Sequence, residues 1–239
     1  MADPFRSLVL TDNVELFEFV QALVVEKGIA DVTFGCSRQG PLAARPDIDV
    51  VDVRTGCDAL IARYRLIVSL HSKQRFPSAL VRAVRCVNIH PGHNPDTRGW
   101  FPQVFAILRG LKLGMTVHRM DEALDHGDIL YREEVPVLFS DTSYTAYRRV
   151  IDAEKRYLRH NLHALIHADG ESQPMSEEGN MHSKSDFDRL CEIDLDQRGS
   201  FRDFYDRLRA LSFMGYRNAY VRDPDSGKKV YLSLVVEPE

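Results

Sequence analysis

The chain has 239 residues, enough to bury a sizeable core as one large domain or as a main domain with an appendage. A net charge of −4, with 28% charged and 44% hydrophobic residues, describes an ordinary globular protein and excludes the basic excess expected of a nucleic-acid binder. The opening MADPFRSLVLTDN carries too short and too poorly flanked an apolar run for a secretory signal, and no run of about 18 apolar residues suggests a membrane span; a cytoplasmic location is the default expectation.

Taken in chain order, residues 7–10 form an apolar run that ends at Thr11-Asp12-Asn13, a cluster suited to capping a helix. VELFEFVQALVVEKG then has helical spacing and stops at Gly28. Short β-branched runs follow at residues 31–34, 48–53, 66–70 and 86–89, separated by helical or turn segments. This alternation predicts an α/β fold, a mostly parallel twisted sheet with helices on both faces. No G-x-G-x-x-G follows the first strand, so a dinucleotide is not expected.

Residues 100–112 return to helical spacing, GMTVHRM alternates as a strand, residues 121–128 form a polar loop, and ILYREEVPV reads as a further strand. Residues 140–168 predict a long helix opened by SDTS, with apolar positions at Tyr144, Tyr147, Val150, Ile151, Leu158, Leu162 and Leu165. The basic run Arg148, Arg149, Lys155, Arg156, Arg159 reads as a solvated face of that helix. A polar stretch at 169–184 is a linker or surface loop, dividing a catalytic domain at 1–168 from a C-terminal region at 169–239. Beyond it we expect helices near 186–191 and 200–211, then a hairpin around DPDSG. Cys36, Cys57, Cys86 and Cys191 lack any CxxC pairing and read as buried free thiols.

In such sheets ligands bind beyond the carboxyl ends of the strands. Two polar clusters stand there, SLHSKQRFP and NIHPGHNP. Asn88 and His90 are two apart at a strand end, so their side chains share one side of the sheet. An amide and an imidazole together can stabilise an oxygen that becomes negative, one such donor contributing about 3 kcal/mol at the transition state. Asp125, in the loop after TVHRM, opens into the same crevice if that strand lies parallel beside CVNI, and suits orientation or proton transfer. The set contains no Ser or Cys nucleophile, which favours direct attack by a substrate group.

Blander readings stand beside these. Asn88 and His90 can simply stabilise the Pro91-Gly92 turn, Asp125 can be a turn residue before Gly127, and Trp100 can be core. His118 is either next to the site or a packed strand histidine. A metal on His90, His93 and Asp125 is disfavoured, because the intervening proline and glycine oppose the helix that would align the two imidazoles, so no metal is expected.

NIHPGHNPDTRGWFPQVF followed by GMTVHRMDEALDHGDIL resembles the formyltransferase domain that uses 10-formyltetrahydrofolate, and resembles more closely still the sugar-nucleotide N-formyltransferases. SLHSKQRFP, SKSDFDRL, Ile193 to Leu195 and LRALSFMGYRNAYV agree with that family as well, so the likeness spans nearly the whole chain. It implies a Rossmann-like formyltransferase fold and a homodimer that formylates a dTDP-linked 3- or 4-amino-dideoxyhexose for surface polysaccharide. It also implies that Asn88 and His90 hold the formyl oxygen while Asp125 positions the amine or relays its proton.

The same resemblance places the pterin against the main chain of Ser72, Gln74, Arg75 and Phe76 and the loop bearing Met120, Asp121 and Leu124. Lys73, Arg98 and Arg207 are the expected pyrophosphate cations, Trp100, Phe187 and Tyr216 the aromatic surface, and Asn13 and Gly99 further substrate contacts. His93, Ser72 and SFMGY depart from the family's usual residues, which bears on the sugar more than on the reaction. The competing readings are formyl transfer to glycinamide ribonucleotide or an aminoacyl-tRNA, and a non-catalytic module that binds folate or a nucleotide sugar.

Overall fold

The structure, a computed structural model, describes residues 6–237; the first five residues, which open the stretch read as no secretory signal, and the last two lie outside the described residues. The first half comprises β1 (Ser7–Thr11), α1 (Val14–Glu26), β2 (Val32–Cys36), β3 (Asp49–Val50), α2 (Cys57–Arg63), β4 (Leu66–Leu70), α3 (Ser78–Ala83) and β5 (Arg85–His90). Then come β6 (Arg98–Gly99), α4 (Pro102–Arg109), β7 (Leu113–Arg119), β8 (Ile129–Val135) and α5 (Ser143–His167). The C-terminal part adds β9 (Met181–His182), α6 (Lys184–Cys191), α7 (Phe201–Leu211), β10 (Ala219–Arg222) and β11 (Lys229–Leu232). Among the described residues no helix is long and apolar enough to cross a membrane.

Local chemistry sets the element ends as the sequence implies. Asn13 Oδ1 accepts from Leu16 N at 3.1 Å and starts α1, while Thr142, Ser183 and Ser200 cap α5, α6 and α7 through reciprocal capping boxes. The main sheet runs β3-β2-β1-β4-β5-β7-β8. Its central strands β1 and β4 are buried along their whole length because both faces are covered. Val9, Val68, Val87 and Ile89 pack with α1, α4 and α5, whereas Leu8, Leu10, Ile67 and Cys86 pack with Leu60 of α2 and Leu80 of α3. β1 leads outward to β2 and β4 leads the other way to β5, which opens a crevice between their carboxyl ends.

Two strand expectations are corrected. Of residues 48–53 only Asp49–Val50 pairs as strand; the Gln74 side chain donates to Val51 O and accepts from Val53 N, taking over bonds that strand extension would have made. β7 is antiparallel to β5, with Asn88 opposite His118 and His90 opposite Thr116. The reversal is held by hydroxyls: Thr116 Oγ1 donates to Gly92 O at 2.7 Å and accepts from Asn94 N at 3.0 Å, and Thr97 Oγ1 donates to Lys112 O at 3.3 Å. The turn after β5 is therefore bonded to the start of the returning strand.

The polar stretch at 169–184 lies against the sheet domain. Asp169 pairs with Arg119 at 2.8 Å, Gln173 bridges Ile129, β9 pairs with β6, and the His182 ring stacks on Phe105 with centroids 3.7 Å apart. The hairpin around DPDSG forms as β10 and β11. Cys36, Cys86 and Cys191 are buried and Cys57 half-buried, all free, and burial, aided by neighbouring Cys57, pushes the Cys86 thiol up to about 12.

Each cation of the basic run on α5 meets an acid: Arg148 and Lys155 hold Glu15, and Arg149, Arg156 and Arg159 hold Asp141, Glu133 and Glu26. The Arg148 hydrogen bond, against the opposing effect of burial and with help from Lys155, lowers the Glu15 carboxyl from 4.5 to about 2. A depressed carboxylate stabilises the fold above its unfolded value and loses that contribution as the pH falls through about 2. We expect Glu15→Gln to reduce the pH dependence of the urea midpoint between about 4.5 and about 2 relative to the parent protein, the remainder belonging to other depressed carboxylates such as Asp141.

Candidate active site

The carboxyl end of β5 delivers Asn88 and His90 to one side of the sheet, and the loop after β7 folds back to bring Asp125 against them. Asn88 Nδ2 donates to Asp125 Oδ1 at 2.9 Å, and His90 Nδ1 lies 3.6 Å from Asp125 Oδ2. His118, opposite Asn88 on β7, places Nε2 3.6 Å from Asp125 Oδ1 and 3.3 Å from Asn88 Nδ2. His118 thus belongs to the cluster, which decides the alternative left open by the sequence. An antiparallel β7 is what puts it there.

Asp125 is 9% exposed and sits in the left-handed region at φ 47°. A non-glycine residue holds that conformation only where its surroundings over-determine it. Four bonds do so: Gly99 N donates to Oδ2 at 3.1 Å, Asn94 Nδ2 to the Asp125 carbonyl at 3.0 Å, Arg98 Nη2 to the adjoining Leu124 carbonyl at 2.7 Å, and Asn88 to Oδ1. Burial pushes this carboxyl up, but His90, His118 and the Gly99 N–H more than offset it and hold it well below the ordinary carboxylate range. The group is an anion.

His90 is fastened from its far side, Nε2 lying 3.0 Å from the Thr97 carbonyl. With Nε2 held there, Nδ1 is turned to face the Asp125 carboxylate. Gly92 lets the turn close over the ring, since a Cβ at that position would run into Thr97 O and the imidazole. His93 turns away to Asp96 at 2.8 Å, and among the described residues no group of three or more His, Cys, Asp or Glu is arranged to hold a metal.

A shallow open cleft adjoins the cluster, lined by Gln74, Arg75, Phe76, His118 and residues 120–125. Met120, Asp121 and Leu124 therefore lie along one wall and Gln74, Arg75 and Phe76 along the other; Ser72 lies two residues before that wall. Asn88 and His90 meet the cleft through Asp125. Gln74 contributes main chain, its amide being spent on Val51 and Val53.

The residues expected to bind the nucleotide sugar divide. Asn13 and Lys73 lie at the crevice between β1 and β4, where Asn13 Nδ2 donates to the Tyr147 hydroxyl at 3.1 Å and Lys73 is exposed. Tyr216 is 68% exposed beside Phe213. Trp100 is half-buried against Phe101, and Gly99 serves Asp125. Three expectations are corrected. Arg98 is buried and bonds Glu178 O and Leu124 O, so its guanidinium is internal and not a phosphate cation. Arg207 is likewise spent on Leu190 O, Glu192 O and Gln197, tying α7 to α6. Phe187 packs into the core on Phe101, centroids 4.0 Å apart, leaving no face for a base.

Sequence reasoning missed Asn94, which is 1% exposed and holds both the Asp125 carbonyl and Thr116. Its only signal was a polar residue inside the quoted turn motif.

Comparison with known proteins agrees with this geometry. The family described as Formyl transferase matches residues 60–162, which contain the whole cluster, and the N-formyltransferase dimerization C-terminal domain matches residues 186–238. Over 232 residues, 97% of this chain and 97% of the relative, the chain is 41% identical to dTDP-4-amino-4,6-dideoxyglucose formyltransferase of Mycobacterium bovis. The chain belongs to the sugar N-formyltransferases. The X-ray structure of a sugar N-formyltransferase from a Shewanella species superposes with a TM-score of 0.94 at 40% identity, covering 99% of this chain and 100% of that one. A 4-N formyltransferase from Francisella tularensis follows with 0.91 at 35% identity, covering 98% and 99%.

For this N-formyltransferase the placement of Arg98 has a measurable consequence. A lysine ammonium cannot reach two carbonyls in the fixed directions of the guanidinium fork. Arg98→Lys should cost about 1–3 kcal/mol of unfolding free energy in a urea titration without substrate; an unchanged midpoint would return Arg98 to a purely substrate-binding role.

Proposed function

We propose that the protein transfers the formyl group of 10-formyltetrahydrofolate to the amine of a dTDP-linked 4-amino-4,6-dideoxyhexose, in the cytoplasm, for surface polysaccharide assembly. The observation that carries this reading is the buried, ionised Asp125 set between an amide and two imidazoles at the wall of a cleft. The cluster holds no thiol or hydroxyl positioned as a nucleophile, which suits direct attack by an amine.

The cleft residues fit a folate. Phe76, Met120 and Leu124 offer apolar surface for a flat heteroaromatic ring, and the main chain of both walls offers donors and acceptors for its edge. When bound, the folate supplies an activated formyl carbonyl. The second N–H of Asn88, held by His118 only at 3.3 Å, is the donor free to turn toward the oxygen that gains charge. The His90 imidazole offers a further donor on the same side, and Asp125 is placed to take the proton of an attacking amine.

For the acceptor, Asn13 and Lys73 at the crevice suit the diphosphate and Tyr216 suits the base or sugar. The 4-amino position is supported by the names of the relatives from Mycobacterium bovis and Francisella tularensis. A homodimer built through the C-terminal region is supported by the family matched there and by exposed Val230, Tyr231 and Val235.

The test is tetrahydrofolate release with dTDP-3-amino and dTDP-4-amino dideoxyhexoses, glycinamide ribonucleotide and no acceptor; turnover with the 4-amino sugar alone is expected, and silence with both sugars would refute the reading. Asp125→Asn should lower kcat by about 10²–10⁴-fold, and parental activity would remove Asp125 from the chemistry. Because the Asp125 carboxyl is held below its ordinary range, it stays ionised through the acid limb of a bell-shaped pH profile. That limb should belong to the acceptor amine and move when the amine's basicity is changed.

A further inference from the structure

Outside the site, one buried ionisable group has no part in the chemistry. Glu154, inside α5, is fully buried; Oε1 meets His71 Nε2 at 2.8 Å and Oε2 has no partner among the described residues. His71 Nδ1 meets the Tyr147 hydroxyl at 3.0 Å, and that hydroxyl accepts from Asn13. α5 packs on the sheet face lined by Val87 and Ile89, whereas Asn88 and His90 alternate to the other face. The network therefore does not touch the reacting atoms.

Its position explains it better than stability does. A buried ion pair is often no more stabilising than an apolar pair of the same volume, and a carboxylate oxygen without a partner adds cost. His71 is the first residue beyond β4 and stands at φ 57°, a left-handed conformation that a non-glycine residue keeps only when held. That turn swings residues 72–76 across the strand end, where Gln74, Arg75 and Phe76 become a wall of the cleft. Farther along, the wall is fixed by Gln74 to Val51 and Val53. At its start it is fixed by His71 and by Asp12 Oδ2, which accepts from Lys73 N at 3.4 Å, and His71 is held by Glu154 and Tyr147.

We infer that His71 and Glu154 are positioning residues that set the folate wall of the cleft by clamping the turn after β4. This rests on the function proposed above. It places control of formyl-donor binding in a pair on the far side of the sheet.

The experiment titrates the full-length protein with 5-formyltetrahydrofolate, a folate that binds without transfer, and follows thermal unfolding in parallel. Glu154→Leu frees the imidazole without stranding a buried charge. It should raise Kd about tenfold with an unchanged or higher Tm, and at saturating donor kcat should match the parent. His71→Asn tolerates the left-handed backbone but cannot span to Glu154, and should weaken folate binding similarly. Glu154→Gln retains a hydrogen bond to the imidazole and should restore Kd to within about threefold.

Parental affinity in Glu154→Leu and His71→Asn would overturn the inference. So would losses in Glu154→Leu and Glu154→Gln that simply follow a fall in Tm. If Glu154→Leu does not fold, His71→Asn decides. A parent protein that binds the folate but formylates no sugar would defeat the proposed function and leave this comparison standing; one that binds no folate would defeat both.

Discussion

The structure around the site depends on keeping one carboxylate ionised while almost out of water. Asp125 is costly twice over, as a buried charge and as a left-handed non-glycine residue. The surrounding elements supply the compensation. β5 contributes Asn88 and His90, β7 contributes His118, β6 contributes the Gly99 N–H, and Asn94 and Arg98 hold the loop carbonyls. Loosening any one of them leaves a buried donor or acceptor unpaired, so the site is rigid as a consequence of its charge.

That requirement also accounts for parts of the fold that otherwise look incidental. The HPG turn closes on His90 only because Gly92 has no side chain, and threonine hydroxyls stitch the turn to the returning strand. Residues 178–182 run beside β6, receiving Arg98 on the Glu178 and Asn180 carbonyls and Trp100 N on the His182 carbonyl. The C-terminal part of the chain is in this way bonded to the same strand that donates to Asp125. The candidate site and the C-terminal region are joined through β6.

Much of this was legible beforehand. The strands at 66–70 and 86–89, the caps at Asn13 and Ser200, the long amphipathic helix and the terminal hairpin all follow from local chemistry, since periodicity and capping act over a few residues. Asn88 and His90 could be paired from the two-residue repeat of a strand. The errors among the expected ligand contacts are of one kind. Arg98, Arg207 and Phe187 were assigned to a ligand by residue type, yet an arginine bonds a buried carbonyl as readily as a phosphate, and a phenylalanine fills a core as readily as it stacks on a base. Residue type names the interaction and leaves the partner open.

By itself the sequence determined the α/β class, the element ends and the type of chemistry at the strand ends, because these rest on interactions between near neighbours. Tertiary structure alone decided that β7 runs antiparallel, that His118 and Asn94 join Asp125, that Arg98 faces inward, and that His71 and Glu154 meet beyond the carboxyl end of β4. Each of these depends on contacts between residues far apart in the chain, whose energies appear only after the sheet has set their distance and orientation.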